Sequence, residues 1–381
     1  MAPSVTMYAE HLLNIRQVTI FATLESESNH ETRAELSSDR RSLSLTHDGE
    51  TATIRLPSEI AGSASLTLPM AKSKVLSFRL QVTEDVATLD RPHLRHGNDV
   101  PWPAASLSCE TSVACRECQN IVVKSPSLVT WKDLPSENWA EMMDFWHCHK
   151  PADHEAHVAD TPSTMKGYAA SNAVRASPGT GLVDLSYLLI CEQDCSNIQR
   201  REGSLKCAQC DSELGLEDTQ AEGLRLFKWS VCLQRLRSTS WESFPVQSFV
   251  CAQLLALLDV QSTRKFIAYS RALRDTKSAL LLWIFTPDLH YSSSLLPGEP
   301  KRAMKILYET VSNPLEILER QSLAVDELRL PDHIVQAIRG NLEASNALLP
   351  MSARKLQSWN IGLLDRFESS SHVLWKEYRP A

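Results

Sequence analysis

Cys115-Arg-Glu-Cys118 is followed, much further along the chain, by Cys207-Ala-Gln-Cys210. In each pair, the two-residue spacer lets both sulfurs face one point from a tight turn, and two such turns supply the four thiolates of a tetrahedral zinc site. We therefore predict one zinc ion bound by Cys115, Cys118, Cys207 and Cys210, which would staple two distant segments of the chain. The alternative is that the two pairs are redox-active or incidental.

The rest of the chain predicts an α+β fold around this stapled middle. Residues 1–103 are predicted to form a β-rich N-terminal domain, and residues 104–240 the zinc-stapled region. Residues 241–381 mix helical and strand patterns and are predicted to form an α+β C-terminal domain. With 381 residues, the chain is longer than one ordinary domain.

Individual elements follow from the spacing of apolar residues. Residues 41–46 and 51–56 alternate apolar and polar side chains, which predicts two strands with a turn between them. Residues 182–190 and 279–286 each read as one strand, the second apolar enough to be central. A helix is predicted after Pro331-Asp332, with this dipeptide as its N-cap.

Composition and charge narrow the function classes. Hydrophobic residues make up 43% and charged residues 22%, which is typical of a core-forming soluble chain. A net charge of −7 argues against direct nucleic-acid binding, which favours a basic chain. Neither a membrane-spanning apolar run nor a signal-peptide pattern is present, so we expect an intracellular protein without membrane contact. In a reducing compartment, the ten cysteines indicate metal binding, catalysis or packing rather than disulfides.

A second motif runs over residues 134–149 and ends in His147-Cys148-His149. Ser136 after Pro135 is a good N-cap for a helix, and Glu137 lies in its first turn. Four large side chains recur with helical spacing on one face: Trp139, Met142, Met143 and Trp146. The predicted helix stops just before residues 151–181, which are predicted to form a mobile loop because they contain few large apolar residues.

Cys148 between two histidines has three possible roles. It can ligate a zinc ion of the chain itself, for which Cys191 and Cys195 are the available partners, although these two are more typical of packed thiols. It can act as a nucleophile, activated by His147 or His149. It can also be offered to the metal centre of a partner protein, since thiolate and imidazole are both good zinc ligands.

The Leu134-Pro-Ser-Glu-Asn-Trp139 motif, the Trp146-x-Cys-His149 ending and the flanking cysteine pairs resemble the HECT-like ubiquitin-protein ligases that bind ubiquitin-conjugating enzymes. The similarity continues through short segments that cover most of the chain: Lys265-Phe-Ile, Leu281-Leu-Trp-Ile, Ala303-Met-Lys-Ile-Leu-Tyr308, Leu330-Pro and Asn346-Ala-Leu-Leu-Pro350. The opening stretch, Ala9-Glu-His-Leu-Leu-Asn-Ile-Arg-Gln17, looks similar to fungal members of this family.

This resemblance implies a ligase of nucleus and cytosol, with a ubiquitin-conjugating enzyme and ubiquitin as its partners. It also implies a link to the endonuclease of pre-mRNA 3′-end cleavage, a metallo-β-lactamase-type enzyme, whose active-site metal Cys148 would reach. The residues expected to contact partners are Pro135, Ser136, Glu137, Asn138, Trp139, Trp146, Cys148 and His149.

One property of HECT ligases is absent from this chain. HECT ligases carry ubiquitin on a cysteine near the C-terminus, whereas the last cysteine here is Cys251. Two ligase mechanisms remain: direct transfer from a positioned conjugating enzyme, which we favour, or a thioester on Cys148 with His149 or His147 as base. The alternative function is that of a non-catalytic binding factor or chaperone for the endonuclease, with Cys148 inserted as a ligand to its zinc.

Overall fold

The computed structural model divides the chain into two compact units. The first contains Met1–Val100 together with Val246–Ala381, and the second is Pro101–Pro245. The residues that the structure describes are 4–61, 65–66, 72–83, 98–134, 174–235, 238–261, 263–270, 279–320 and 324–369.

Strands make up most of the regular structure. The first eleven are β1 (Val5–Leu12), β2 (Gln17–Leu24), β3 (Arg33–Leu36), β4 (Ser42–His47), β5 (Glu50–Arg55), β6 (Ser65–Leu66), β7 (Val75–Gln81), β8 (Ser112–Cys115), β9 (Ile121–Val123), β10 (Thr130–Asp133) and β11 (Thr180–Val183). The next are β12 (Tyr187–Ile190), β13 (Ile198–Arg201), β14 (Ser204–Cys207), β15 (Glu213–Asp218), β16 (Gly223–Phe227), β17 (Val231–Gln234), β18 (Lys265–Ser270), β19 (Ala279–Ser293), β20 (Leu296–Val311), β21 (Asp326–Leu330), β22 (Lys355–Leu356) and β23 (Trp359–Asp365). The α-helices in the described ranges are α1 (Val246–Val260), α2 (Pro314–Arg320) and α3 (Asp332–Leu348).

The first unit is built on a nine-stranded sheet that joins both ends of the sequence. Its order is β22-β23-β20-β19-β1-β2-β7, with β18 paired to β19 and to β21. The antiparallel pairing of β1 with β19 places Tyr8 opposite Ser293 and Glu10 opposite Tyr291. The structure thus differs from the predicted division of the chain, because parts of 1–103 and 241–381 share one sheet and one compact unit.

A four-stranded sheet, β5-β4-β3-β6, covers part of the large sheet on the N-terminal side. The predicted hairpin is present: β4 and β5 are joined by Asp48 and Gly49, which both have positive φ as a two-residue turn requires. Apolar side chains from both sheets form one buried cluster: Val5, Met7, Ala9, Val18, Ile20, Ala22, Leu24, Ala34, Leu36, Leu43, Leu45, Ile54, Leu56, Ile60 and Leu76. The four-stranded sheet and the N-terminal strands of the large sheet therefore pack face to face as a small sandwich.

Helix α3 packs against β23, where Gly362 lies directly under the helix. A Cβ atom on Gly362 would lie 2.8 Å from the carbonyl oxygen of Leu342, so only glycine permits this approach. The helix begins at Asp332 with Pro331 as N-cap and no side-chain cap, so Asp332 lies in the first turn, where its charge favours the helix dipole. None of the helices in the described ranges is long and apolar enough to cross a membrane.

Gly362→Ala should lower the free energy of unfolding by about 1–3 kcal/mol, because the added methyl group forces the backbone of α3 away from β23. The matched control is Gly340→Ala in helix α3 itself, where an added Cβ atom has no neighbouring atom within 4 Å. It should instead raise stability by about 1 kcal/mol, since alanine favours the helix. Urea unfolding of both variants measures the two effects, and equal effects from both would contradict the packing described.

The second unit contains a seven-stranded sheet of order β10-β11-β12-β16-β15-β14-β13 and a three-stranded sheet of order β17-β8-β9. Residues 182–190, predicted to be one strand, instead form a tight hairpin between β11 and β12, with Leu182 opposite Leu189. The side chain of Asp184 breaks the strand by accepting hydrogen bonds from the backbone N–H and hydroxyl of Ser186, at 2.8 and 2.9 Å.

Candidate metal centre

The two Cys-x-x-Cys pairs occupy equivalent turns in two separate β-hairpins of the second unit. Cys115 is the last residue of β8, and Cys207 is the last residue of β14. In each turn the first cysteine closes two backbone hydrogen bonds. The Cys115 carbonyl accepts from Gln119 at 2.8 Å, and its N–H donates to the Asn120 carbonyl at 2.9 Å.

The second turn repeats this pattern. The Cys207 carbonyl accepts from the N–H of Asp211 at 2.9 Å, and the Cys207 N–H donates to the carbonyl of Ser212 at 2.9 Å. Gln119 and Asp211 occupy the same position of the two turns and both are left-handed, with φ of 58° and 61°. Two turns of one geometry, one from each end of the unit's sequence, thus present their sulfurs in the same way.

The four sulfurs converge on one point. Cys115 Sγ lies 3.6 Å from Cys210 Sγ, and Cys118 Sγ lies 3.6 Å from Cys207 Sγ, so each close pair joins the two hairpins. All four sulfur atoms lie within 4.8 Å of one another. A tetrahedral zinc with Zn–S bonds of about 2.3 Å requires sulfurs separated by about 3.8 Å. The residues present therefore fit a zinc ion, and four protein ligands would leave no open position for catalysis.

Neighbouring polar side chains form hydrogen bonds with two of the four sulfurs. The Ser212 hydroxyl lies 3.2 Å from Cys210 Sγ, and hydrogen bonding from this hydroxyl and from the Ser212 N–H lowers the pKa of Cys210 to about 6. The Asn120 side-chain amide donates to Cys207 Sγ at 3.8 Å. Burial instead raises the pKa of the Cys115 thiol, which lies inside strand β8. A divalent cation would compensate that burial, because metal binding favours deprotonated ligands.

The spacing of the four cysteines predicts their cluster, but it does not identify the residues that shape the two turns. These residues occupy the two positions after each pair. The first, Gln119 or Asp211, has the left-handed backbone conformation, and the side chain of the second, Asn120 or Ser212, forms a hydrogen bond with a cysteine sulfur. The available signal was that small polar residues follow each pair at the same offset, since Asn, Asp and Ser are typical turn residues.

The second predicted site falls outside the residues that the structure describes. This applies to Pro135, Ser136, Glu137, Asn138, Trp139, Trp146, Cys148 and His149, and to the loop over residues 151–181 as far as residue 173. The roles of Cys148 and His149 in catalysis or in binding a partner's metal, and with them the alternative function at the endonuclease, therefore stay predictions. Within the described ranges, the four-cysteine cluster is the one group of three or more potential metal ligands.

The remaining described cysteines differ in burial. Cys232 and Cys251 are buried, Cys191 and Cys195 are half-buried, and Cys109 is exposed. Burial raises the pKa of Cys195, Cys232 and Cys251 to about 12 in each case. These three thiols are protonated at neutral pH and are therefore poor nucleophiles.

Comparison with known proteins gives a family and several distant relatives. The family model described as HECT-like ubiquitin-conjugating enzyme (E2)-binding matches residues 10–361. An uncharacterised protein of Schizosaccharomyces pombe is 27% identical over 289 aligned residues, covering 70% of this chain and 78% of that protein. An uncharacterised protein of Saccharomyces cerevisiae is 28% identical over 270 aligned residues, which cover 69% of this chain and 72% of that protein. A human protein named as an E3 ubiquitin-protein ligase is 24% identical over 285 aligned residues, which cover 66% of this chain and 71% of that protein. No solved structure matches.

Proposed function

Since this chain belongs to the HECT-like family that binds ubiquitin-conjugating enzymes, we propose that it is a ubiquitin-protein ligase of the direct-transfer type. In this proposal it holds a conjugating enzyme charged with ubiquitin and orients the thioester toward a lysine of the substrate. The family match over residues 10–361 carries the proposal, and the name of the human relative, an E3 ubiquitin-protein ligase, supports it.

The chemistry of the described cysteines supports direct transfer over a thioester on the ligase. Residues 252–381 contain no cysteine, so this segment cannot form a C-terminal thioester of the HECT type. Cys251 itself is buried, its thiol donates to the Leu364 carbonyl at 3.7 Å, and its pKa is raised to about 12 by burial. Transthiolation requires an accessible thiolate, and Cys251 is neither accessible nor ionised at neutral pH.

The other described cysteines offer few alternatives. Four lie in the metal cluster, where a bound zinc would occupy their sulfurs. Cys195 and Cys232 have raised pKa values, each about 12, because of burial. Direct transfer needs no nucleophile on the ligase, because positioning a reactive thioester beside an amine can supply a large part of the rate by itself.

In this proposal zinc is a structural cofactor. Cys115, Cys118, Cys207 and Cys210 would hold it and keep the β8–β9 and β14–β15 hairpins together. The ion, when bound, supplies a closed tetrahedral cross-link rather than a Lewis acid for the reaction. Loss of zinc would then affect ligase activity only through the folding of the second unit.

Single-turnover discharge of ubiquitin from a panel of charged conjugating enzymes to free lysine tests this proposal. Cys148→Ser should discharge within about twofold of wild type, because direct transfer needs no thioester on the ligase. Cys109→Ser is the matched control, since Cys109 is the exposed thiol among the described cysteines outside the cluster.

Reducing and non-reducing gels separate the outcomes. Discharge by wild type and both variants without a reducible adduct supports direct transfer. A reducible ubiquitin adduct on wild type that is lost in Cys148→Ser would assign the transfer to Cys148 and contradict the direct mechanism. An absence of discharge with every conjugating enzyme in the panel would contradict the ligase proposal.

A further inference from the structure

One face of the large sheet in the first unit carries a cluster of aromatic side chains with a lysine among them. Antiparallel pairing places Lys265 opposite Trp283 and Trp283 opposite Leu307, and directly opposed residues share a face. In the next strand of the sheet, Leu307 is opposite Ile361, and Trp359 shares that face because it is two residues from Ile361. The face therefore runs across β18, β19, β20 and β23.

The tryptophan rings form two walls of a small cage. The ring centroids of Trp283 and Trp359 lie 5.8 Å apart with an interplanar angle of 71°. Phe285 extends the aromatic surface, with its ring 6.2 Å from that of Trp283, and it is 48% exposed. Trp283 and Trp359 are half-buried, so the cage opens to solvent along this side of the sheet.

A cation already occupies the cage. The ammonium of Lys265 lies 5.1 Å from the ring centroid of Trp283 and 5.7 Å from that of Trp359. Both distances are within the range of about 6 Å over which an aromatic face attracts a cation. The two rings, whose centroids are 5.8 Å apart, are thus both in position to attract the same cationic group.

A carboxylate with one buried, unpaired oxygen lies on the same face. Glu309 is opposite Leu281 on β19 and two residues from Leu307, which places its side chain on the aromatic side of the sheet. Its Oε1 atom is buried and has no hydrogen-bond partner. A buried acceptor left unpaired is costly, and more so when it is charged. The ammonium of Lys265 makes cation–π interactions with the two rings, but it does not donate a hydrogen bond to this oxygen.

We infer that Trp283, Trp359 and Glu309 form a receptor for an arginine or lysine side chain of the conjugating enzyme, and that Lys265 fills this receptor in the free chain. The inference rests on the proposed function for the identity of the partner. An arginine guanidinium can stack on a tryptophan ring and donate to a carboxylate at the same time, because its donors lie in one planar fork. A partner's arginine would therefore both stack on a ring and donate to Glu309, whereas Lys265 interacts only with the rings.

The site can bind a partner although Lys265 fills it in the free chain, because one cation can replace the other. Lys265 has a long, flexible side chain, and its ammonium can return to water when a partner's cation enters. The incoming side chain gains a charge-assisted hydrogen bond at Glu309 that Lys265 does not make. Lys265 should therefore compete with the partner, and its removal should strengthen binding.

The test measures the affinity of the full chain for the conjugating enzyme that gives the fastest discharge in the panel above. Glu309→Gln should weaken binding by about tenfold or more, since a charged acceptor becomes neutral. Lys265→Met keeps the length and apolar character of the stem and should strengthen binding by a few-fold. Glu316→Gln is the matched control, because Glu316 is an exposed carboxylate of α2, and it should leave the affinity unchanged.

The outcomes distinguish this inference from the proposed function. Wild-type binding with the opposite changes in Glu309→Gln and Lys265→Met supports the receptor. Wild-type binding that neither variant alters, or that Lys265→Met weakens, overturns the receptor and leaves the ligase proposal standing. A wild type that binds and discharges no conjugating enzyme of the panel overturns both. Circular dichroism and the melting temperature of each variant show whether an altered affinity comes from misfolding.

Discussion

Cys115→Ser should abolish zinc binding by the four-cysteine cluster and loosen the fold of the second unit. We expect about one zinc ion per chain in the wild type and close to none in the variant, because three thiolates and a neutral hydroxyl bind zinc far more weakly than four thiolates. Elemental analysis of the purified chain measures this directly. The same loss should follow when the wild type is treated with a strong chelator.

The expected structural effect is large because the cluster joins hairpins that are distant in sequence. Zinc binding to structural sites in small domains supplies about 10–16 kcal/mol, which is comparable to the whole stability of an ordinary domain. The close sulfur pairs, Cys115 with Cys210 and Cys118 with Cys207, each link the β8–β9 hairpin to the β14–β15 hairpin. Without the ion, the two turns lose the four bonds through which it would join them, so the link between the hairpins is weakened.

Limited proteolysis and thermal unfolding provide the structural measurement. Cys115→Ser and the chelated wild type should both be cleaved faster within residues 101–245 than the zinc-loaded chain. Cys109→Ser is the control, because Cys109 is exposed and lies outside the cluster, and it should retain zinc and the wild-type melting temperature. A Cys115→Ser variant that keeps its zinc and its protease resistance would contradict the proposed centre.

The sequence was sufficient to predict that the four cysteines come together because the determinants of this cluster are local. Each Cys-x-x-Cys spacing presents two sulfurs from one turn, and two such pairs need only meet in space. The hairpin of β4 and β5 was predictable for the same reason, since alternation and the Asp48-Gly49 turn are both short-range signals. What alternation does not specify is which strands become neighbours. The pairing of β1 with β19 joins segments about 280 residues apart and had no signal in the pattern.

The length of the central hairpin also exceeded the prediction. The apolar run predicts one strand over residues 279–286, and the residues that follow it, Pro287 and Asp288, normally interrupt a strand. In the structure β19 continues to Ser293, and its pairing with β20 shifts register between Ile284 and Leu289 to accommodate these two residues. The register shift therefore extends β19 past the residues that normally end a strand. Trp283 lies on β19 and Glu309 on β20, so their placement on one face depends on this strand pairing and could not be predicted either.

Asp288→Asn should lower the free energy of unfolding by about 3–5 kcal/mol, the cost of removing one partner from a buried ion pair. The side chain of Asp288 is only 3% exposed and pairs with two arginines. Arg302 approaches it with two nitrogens, at 2.8 and 2.7 Å, and Arg366 contacts it at 3.0 Å. The side chains of Arg302 and Arg366 are themselves only 10% and 2% exposed, so the substitution leaves two largely buried cations without their shared anion.

Asp99→Asn is the matched control. Asp99 also contacts Arg302, at 3.3 Å, but its side chain is 39% exposed. Water can replace its interaction, so its substitution should cost about 1 kcal/mol or less. Urea unfolding at neutral pH measures both variants. Equal losses from Asp288→Asn and Asp99→Asn would contradict the argument, because the larger cost depends on burial rather than on the number of charges removed.

The wild type and Asp288→Asn should also respond differently to pH. Burial raises the pKa of Asp288, but hydrogen bonds from Arg302 and the charges of Arg366 and Arg302 outweigh it, so its pKa lies below its ordinary value. Because this pKa is lower in the folded chain, the carboxylate stabilises the fold above its unfolded pKa of about 4 and loses this contribution as the pH falls through the folded value. The stability difference between wild type and Asp288→Asn should therefore be full at pH 7 and shrink below about pH 4. A difference that stays constant from pH 7 to the acid limit would mean that the loss comes from altered packing, because only the charge of Asp288 distinguishes the two chains in this range.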